Sequence, residues 1–122
     1  MASEICNWRG RSGRVYQYVV HSLPVVLRAG QLGNYIYTAA QAHNRWVPIY
    51  IGQGDLGDRV SENHHRSMCI KLKGATHVHT HTNLLEEDRL VEERDLLGSY
   101  RNAYEPYGCN RVAVSKPGVL LR

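Results

Sequence analysis

The stretch from Gly33 to Arg59 constrains the fold most, because it carries strand, turn and helix signals in close succession. Two aromatic and β-branched runs, Tyr35 to Tyr37 and Val47 to Ile51, have the composition of strands. The polar residues Ala42 to Arg45 between them favour a turn. The sequence therefore predicts a β-hairpin, and Pro48 indicates either that its second strand lies at a sheet edge or that Pro48 is among the first residues of that strand.

A glycine-rich turn and a helix are predicted directly after this hairpin. Gly52 and Gly54 allow the backbone to bend tightly after the second strand. Asp55 is a suitable N-cap for a helix that the pattern extends from Leu56 to His65, with Asn63 on its inner side.

The segment from Ala75 to Thr82 alternates in the manner of a further strand and places His77, His79 and His81 on one face. Imidazole groups suit zinc, copper or nickel, so a histidine metalloenzyme is one hypothesis. Neighbouring same-face residues of a strand are ~7 Å apart, too far for two of them to share a metal without bending. This spacing favours a polar strand face over a metal site.

A long helix is predicted next, from Asn83 to about Tyr100 or Ala103. Asn83 is expected to cap it, with Glu86 three residues later as in a capping box. The acidic residues Glu86 to Asp88 suit the positive end of the helix dipole.

The inner stripe of that helix includes one carboxylate. The predicted members of the stripe are Leu90, Glu93, Leu97 and Tyr100, with Leu96 beside them. Glu92 and Asp95 fall off the stripe and are expected to face solvent. Because burying an unpaired charge is costly, Glu93 needs a partner, either a basic side chain in a salt bridge or a metal ion.

An ordered set of motifs runs through these elements. Tyr50-Ile51-Gly52 is a literal YIG that follows a tyrosine-bearing strand and precedes Asp55-Leu56-x-x-Arg59. The set continues with Glu-x-x-Leu-Leu at residues 93–97, then Pro106 and Asn110. Over about Gly33 to Asn110 the chain resembles the GIY-YIG nuclease family, whose members cut nucleic acid with one divalent metal ion.

The resemblance implies an α/β (α+β) fold with a small three-stranded antiparallel sheet flanked by helices. It implies that Glu93 binds Mg²⁺ or Mn²⁺, that Tyr37 orients or deprotonates the attacking water, and that Tyr50 lies beside it. It further implies that Arg59 binds the phosphate with its planar guanidinium group. The expected activity is that of a metal-dependent endonuclease, a hydrolase of phosphodiester bonds.

Two positions depart from the family pattern. The first motif is either Gly33-Asn34-Tyr35 or Tyr35-Ile36-Tyr37, and the shorter spacing to the YIG favours Tyr37, with Tyr35 as the alternative. The family often has His or Tyr four residues after the arginine, where this chain has Asn63 followed by His64 and His65. His64 is the expected replacement for that helper residue.

Charge is compatible with a nucleic-acid partner, DNA being favoured. The net charge is +4 and the sequence pI is about 9.1, which permits such a partner without establishing one. The residues expected to bind nucleic acid are Arg59, Lys71, Lys73 and Asn110. With no obvious targeting domain, specificity is expected to come from a homodimer or from a targeting partner.

Cysteine usage and hydropathy predict a cytoplasmic protein that does not enter membranes. The three cysteines include no Cys-x-x-Cys pair, so neither a disulfide nor a zinc ribbon is predicted. No apolar run approaches the ~18 residues of a membrane span, and the N-terminus lacks a secretory apolar segment.

The chain is divided into residues 1–32, an extension packing on or beside the core, residues 33–110, the nuclease-like domain, and residues 111–122, a tail. Within the extension, Met1 to Gly13 is expected to be a loose arm and Arg14 to His21 a strand. The tail includes Val-Ala-Val at 112–114, which could add a final strand. The departures from the family pattern leave an alternative function, a weak or inactive nucleic-acid-binding module of the same fold.

Overall fold

A computed structural model describes residues 4–112 and shows an α+β fold built on one five-stranded antiparallel sheet. The strands are β1 (Ile5–Arg9), β2 (Val15–Ser22), β3 (Leu32–Gln41), β4 (Arg45–Asp55) and β5 (His77–Thr82), in the spatial order β1-β2-β5-β3-β4. The helices are α1 (Leu56–Arg59), α2 (Ser67–Leu72) and α3 (Glu86–Ser99), with 3-10 turns at Ala42–Asn44 and Arg101–Ala103.

The α+β class is confirmed, but the three-stranded sheet is wrong in detail. The hairpin β1–β2 adds two strands, because β2 pairs with the edge of β5 that a three-stranded sheet would leave free. Part of the predicted loose arm is therefore strand β1, anchored by the buried side chain of Trp8. The predicted strand Arg14 to His21 is confirmed as β2. The Val-Ala-Val strand of the tail falls largely on residues outside the described range.

The predicted hairpin is confirmed, and β4 is an edge strand as Pro48 indicated. A bulge shifts the register after Tyr37, so that Ile49 has no partner on β3. At such a bulge, two residues of one strand lie opposite a single residue of its partner strand. Ile49 and Tyr50 consequently pack in the same cluster as Tyr35 and Tyr37, although they are consecutive in the chain.

The helix predicted from Leu56 to His65 is wrong beyond its first turn, since α1 ends at Arg59. Asp55 is confirmed as its N-cap, with its carboxylate accepting the Asp58 N–H. The helix stops because the Ser61 hydroxyl donates to the Asp58 carbonyl and accepts the Asn63 N–H, which competes with helical bonding. Asn63, expected on the inner side, is exposed.

Helix α3 is confirmed, and it ends next to the predicted Tyr100, but its buried face differs from the predicted stripe. Arg89, Glu92 and Leu96 are buried, whereas Leu90 is 40 % exposed. The helix is thus rotated by about one residue, or roughly 100°. The predicted cap is also wrong, because the N-cap residue is Leu85.

The two faces of the sheet carry separate apolar clusters. One contains Tyr35, Tyr37, Ile49, Leu56, Val60, Ile70, Val78 and Cys109 and is covered by α1, α2 and the segment after β2. The other contains Trp8, Tyr16, Tyr18, Ile36, Ile51, Leu96 and Ala103 and is covered by α3. Among residues 4–112, no helix is long and apolar enough to cross a membrane.

The expectation that the cysteines stay unpaired is wrong for two of them. Cys69 in α2 and Cys109 after α3 form a disulfide, while Cys6 is free. Their Cα atoms are 5.9 Å apart across a sequence separation of 40 residues. No sequence signal marks the pair, because neither cysteine belongs to a short-spaced motif.

Candidate functional site at the β4 edge

Tyr35 and Tyr50 form the centre of the candidate site, on the edge hairpin. Their rings stack with centroids 6.0 Å apart. The Tyr35 ring lies directly across Gly52, where any side chain would collide with the phenol group. The glycine of the YIG motif is therefore explained by the space that Tyr35 requires.

His64 reaches this pair from the loop after α1. Its Nε2 lies 2.7 Å from the Tyr35 hydroxyl, and its Nδ1 accepts the Arg66 backbone N–H at 2.9 Å. Burial, then the neighbouring charges of His65 and Arg59, lower the pKa of His64 to about 4. The neutral ring thus holds its single proton on Nε2 and donates it to the oxygen of Tyr35. His64 orients this hydroxyl and has no free nitrogen with which to accept its proton.

The tyrosine hydroxyls stay protonated near neutral pH. Burial raises the pKa of Tyr35 well above its usual value. Burial and then the Glu93 carboxylate also raise the pKa of Tyr50. Both groups can therefore donate hydrogen bonds at pH 7, and either can act as a base only when a nearby cation favours its anion.

Arg59 and Glu93 face each other near these tyrosines without closing an ion pair. Arg59 is exposed, and its side chain lies over Gly54, where a side chain would come within 3.0 Å of Nε. Burial raises the pKa of Glu93, and the Arg59 charge opposes that shift. Within residues 4–112 the Glu93 carboxylate makes no hydrogen bond and no salt bridge. The structural salt bridge considered for Glu93 is therefore missing from the described part of the chain.

Helix α3 brings Glu93 to the edge strand through contacts one turn earlier. Arg89 Nε donates to the Gln53 side chain of β4 at 2.9 Å, and its carbonyl accepts from Asn34 of β3. Asn34 is fully buried. These contacts fix the position of α3 relative to β3 and β4, so that Glu93 lies beside the YIG strand.

Tyr37, the favoured tyrosine of the first motif, also borders this group, with its ring centroid 5.8 Å from that of Tyr35 and 5.7 Å from that of His64, but its hydroxyl points elsewhere. Its hydroxyl donates to the Arg59 carbonyl at 3.4 Å, and burial raises its pKa to about 12. Its ring borders an apolar groove of about 300 Å³ beside Leu23, Val60 and Ile70. Of the two alternatives, the structure therefore brings Tyr35 to the YIG tyrosine. A slip of two residues keeps the face but moves the side chain along the strand.

Three residues expected to bind nucleic acid are engaged elsewhere. The Asn110 amide accepts the Ile51 N–H at 2.8 Å and donates to the Ile51 carbonyl at 2.9 Å, so it supports the YIG strand. Lys73 donates to the Pro106 carbonyl at 2.6 Å. Lys71 lies 3.4 Å from Glu62 in an exposed ion pair. Of the four, Arg59 is the residue whose charged side chain lies beside the tyrosines of the site.

The donor set at Glu93 fits a hard divalent cation. Mg²⁺ is bound in proteins through one or two carboxylates and keeps several water ligands. Glu93 offers such a carboxylate, since it is half-buried and forms no salt bridge within the described residues. Among residues 4–112, no group of three or more His, Cys, Asp or Glu side chains is arranged to hold a metal, so waters and substrate phosphates would complete the shell.

The three histidines of β5 share a face, as predicted, and each makes its own hydrogen bonds within the protein. His79 is fully buried; it accepts the Trp8 indole N–H at Nδ1, and its Nε2 lies 3.3 Å from the Thr38 hydroxyl. Burial lowers its pKa to about 4. His77 packs edge-on against Trp46. Both nitrogens of His79 are engaged within the protein, which leaves no ligand atom for a metal.

A buried polar cluster around Glu92 was missed by sequence reasoning, which placed Glu92 in solvent. Its carboxylate is 2 % exposed and accepts hydrogen bonds from Tyr18, His81 and Asn83. Asp95, also expected in solvent, accepts from Ser12 and Tyr16 in the β1–β2 hairpin. Periodicity gave no signal for either, because their partners are polar residues from the distant N-terminal strands.

In comparisons with known proteins, no protein-family model matches the chain, and no curated protein or solved structure is significantly similar to it.

Proposed function

We propose that this chain is a metal-dependent endonuclease of the GIY-YIG type that hydrolyses phosphodiester bonds in DNA. The observation that carries the proposal is Glu93, a half-buried carboxylate with no partner among the described residues, facing Arg59 and two tyrosines. Perturbed acids beside a cation and hydroxyl groups are typical of catalytic sites. The motif order Tyr, YIG, Arg and Glu supports the same assignment.

Each side chain has a defined role in this proposal. Arg59 binds a phosphate oxygen of the substrate with its guanidinium group and stabilises the charge that develops there. The hydroxyls of Tyr35 and Tyr50 position the attacking water, and His64 fixes the Tyr35 hydroxyl. Tyr35 takes the role first expected of Tyr37, because it is the tyrosine that stacks on Tyr50.

Glu93 is the proposed ligand of Mg²⁺ or Mn²⁺. When bound, the cation supplies stabilisation of the phosphate charge and of the leaving oxygen. The protein's own contribution is to hold a carboxylate and a guanidinium group near the same two tyrosines. The absence of a described ion pair between them leaves both available to ligands.

The test is cleavage of supercoiled plasmid, branched DNA and RNA with Mg²⁺ or Mn²⁺, comparing wild type with Glu93→Gln. Glu87→Gln is the matched control, because Glu87 lies exposed in the first turn of the same helix. We expect cleavage by wild type and by Glu87→Gln and none by Glu93→Gln. A panel that stays intact at high protein and metal concentration would instead support a non-cleaving nucleic-acid-binding module.

A cytoplasmic site of action is also proposed, and it bears on the disulfide. Cytoplasmic thiols are kept reduced, so Cys69 and Cys109 would be open in that compartment. The same two segments are also joined by Arg66, which donates to the Cys109 carbonyl at 3.0 Å and pairs with Glu105 at 3.2 Å. Thiol labelling of protein taken from intact cells distinguishes the two states.

A further inference from the structure

An open cleft runs along the β1–β2 turn and helix α3 and reaches Glu93 of the candidate site. Its volume is about 1050 Å³, and Glu93 forms part of its wall. Most of the other lining residues come from the hairpin turn and from the outer side of α3. The cleft is therefore continuous with the carboxylate that we propose as metal ligand.

Four arginines line this cleft. They are Arg11 and Arg14 on the hairpin and Arg94 and Arg101 on or just after the helix. All four are exposed, and among residues 4–112 none of their guanidinium groups forms a salt bridge. Because four cations share the cleft with two carboxylates, the surface keeps a net positive charge suited to a polyanion.

The two acidic residues of the lining, Glu93 and Asp95, offset only part of the charge of the four arginines. The Asp95 carboxylate accepts the Ser12 N–H at 2.8 Å, the Ser12 hydroxyl at 2.7 Å and the Tyr16 hydroxyl at 2.8 Å. These bonds, together with one from the Arg11 N–H to the Asp95 carbonyl, dock the hairpin on α3. Asp95 thus holds the cleft in shape and uses its oxygens within the protein.

Several of the arginines are pre-oriented by packing. The Arg101 guanidinium lies 4.8 Å from the Tyr104 ring centroid, and the Arg14 guanidinium lies 5.7 Å from that of Tyr16. The stem of Arg11 lies against Gly98 of α3. Such packing limits the side-chain entropy lost when a ligand is bound.

We infer that this cleft binds the phosphate backbone of the nucleic-acid strand that leads away from the scissile phosphate at Glu93 and Arg59. The inference rests on the proposed function for the direction of the strand. Arginine contacts to phosphates position a nucleic acid without reading its sequence. The N-terminal hairpin thereby becomes part of the substrate-binding surface, which makes residues 5–22 necessary for binding as well as for the sheet.

The test is equilibrium binding of a fluorescent DNA duplex to Glu93→Gln protein, measured from about 50 to about 200 mM KCl. The cleft variant carries Arg11→Ala and Arg94→Ala. The matched control carries Arg28→Ala and Arg45→Ala, which remove the same charge from exposed positions outside the cleft. A further variant with Arg11→Lys and Arg94→Lys keeps the charge in the cleft.

We expect the cleft variant to bind at least about tenfold more weakly than the control, with the salt slope reduced by about 2, since each phosphate contact contributes about 0.9. The lysine variant should retain most of the affinity. Equal affinities of cleft variant and control, or no DNA binding by the parent protein, would overturn the inference. So would polyglutamate that competes with DNA at equal charge.

Failure of this inference is distinguishable from failure of the proposed function. A protein that binds through the cleft arginines but never cleaves would retain the inference and lose the endonuclease. A protein that cleaves normally with Arg11→Ala and Arg94→Ala, at unchanged KM, would retain the endonuclease and lose the inference. Melting curves of all variants exclude loss of folding as the cause.

Discussion

Glu92 and Glu93 are consecutive residues of α3, and their carboxylates meet different surroundings. Glu92 is 2 % exposed and accepts hydrogen bonds from Tyr18, His81 and Asn83. Glu93 is half-buried and has no hydrogen bond or salt bridge within residues 4–112. One helix therefore presents a satisfied carboxylate to the sheet and an available one to the candidate site.

The difference shows how burial and partners separate a structural acid from a functional one. A buried charge is tolerated in a stable core when donors surround it, which is the situation of Glu92. A carboxylate left without donors beside a free arginine stays costly until a ligand arrives, which is the situation of Glu93. Sequence alone reverses this order, because Glu93 falls on the apolar stripe and Glu92 does not.

The largest expected effect separates the two residues by activity. Glu93→Gln should lower the cleavage rate by about three powers of ten or more, ~4 kcal/mol, because the metal contribution is lost. Glu92→Gln should leave the rate of the folded fraction near that of wild type. Plasmid cleavage and a melting curve on the same preparations measure both. Near-normal cleavage by Glu93→Gln with a greatly lowered melting temperature would make it the structural residue.

The next effect separates them by stability. Glu92→Gln should lower the free energy of unfolding by about 3 kcal/mol, because an amide nitrogen would face donors that served a buried charge. This value is at the low end of the loss of stability that follows when one partner of a buried ion pair is removed, because the His81 side chain is 33 % exposed. Urea denaturation measures the loss, with Glu87→Gln as control. A loss below that of the control would mean that Glu92 is solvated after all.

A smaller effect concerns the tyrosines beside each carboxylate. Tyr18→Phe removes a hydrogen bond to a charged group and should cost about 2 kcal/mol of stability with little effect on cleavage. Tyr35→Phe removes a bond to neutral His64, should cost about 1 kcal/mol, and should reduce cleavage strongly. Stability and rate measured on both variants test this crossed pattern. Parallel changes in the two variants would contradict it.

The smallest effect is a dependence of stability on pH. Burial raises the pKa of Glu93 in the folded protein, and Arg59 partly opposes this. The unfolded chain therefore loses its proton first, so the charged residue destabilises the fold progressively as the pH rises from 4.5 and fully above the folded pKa. Glu93→Gln should be slightly more stable than wild type at neutral pH, and the advantage should vanish below 4.5, the ordinary pKa of a glutamate side chain. Denaturation curves from acidic to neutral pH measure it, and an advantage that grows in acid would contradict the sign.

Local rules predicted the edge hairpin, its glycine turn and the N-cap, because strand composition and turn chemistry are encoded within a few residues. They also predicted helix α3 from its acidic first turn. They did not predict its rotation, since that depends on partners such as Tyr18 and Asn34 from remote strands. The β1–β2 hairpin was not predicted for the same reason. Nothing in the local sequence of its polar turn indicates the hydrogen bonds to Asp95 of α3 that stabilise it.

The candidate site was predictable in part. Tyr50, Arg59 and Glu93 were identified from an ordered motif, and the structure brings them near one another. The choice between Tyr35 and Tyr37 could not be made from spacing, because both point to the same face of β3. The role of His64 depends on the early end of α1, which Ser61 causes through side-chain hydrogen bonds that periodicity does not report.

The attachment of Asn110 to β4 has a consequence for how copies of the chain can associate. Its amide fills the outward N–H and carbonyl of Ile51, and the Cys109 N–H fills the carbonyl of Ile49. Pro48 offers no N–H at all. Sheet growth by a neighbouring molecule is therefore blocked along the strand that carries the site. The other edge of the sheet is β1, so a dimer formed by strand addition there would leave the tyrosines of both copies facing outward.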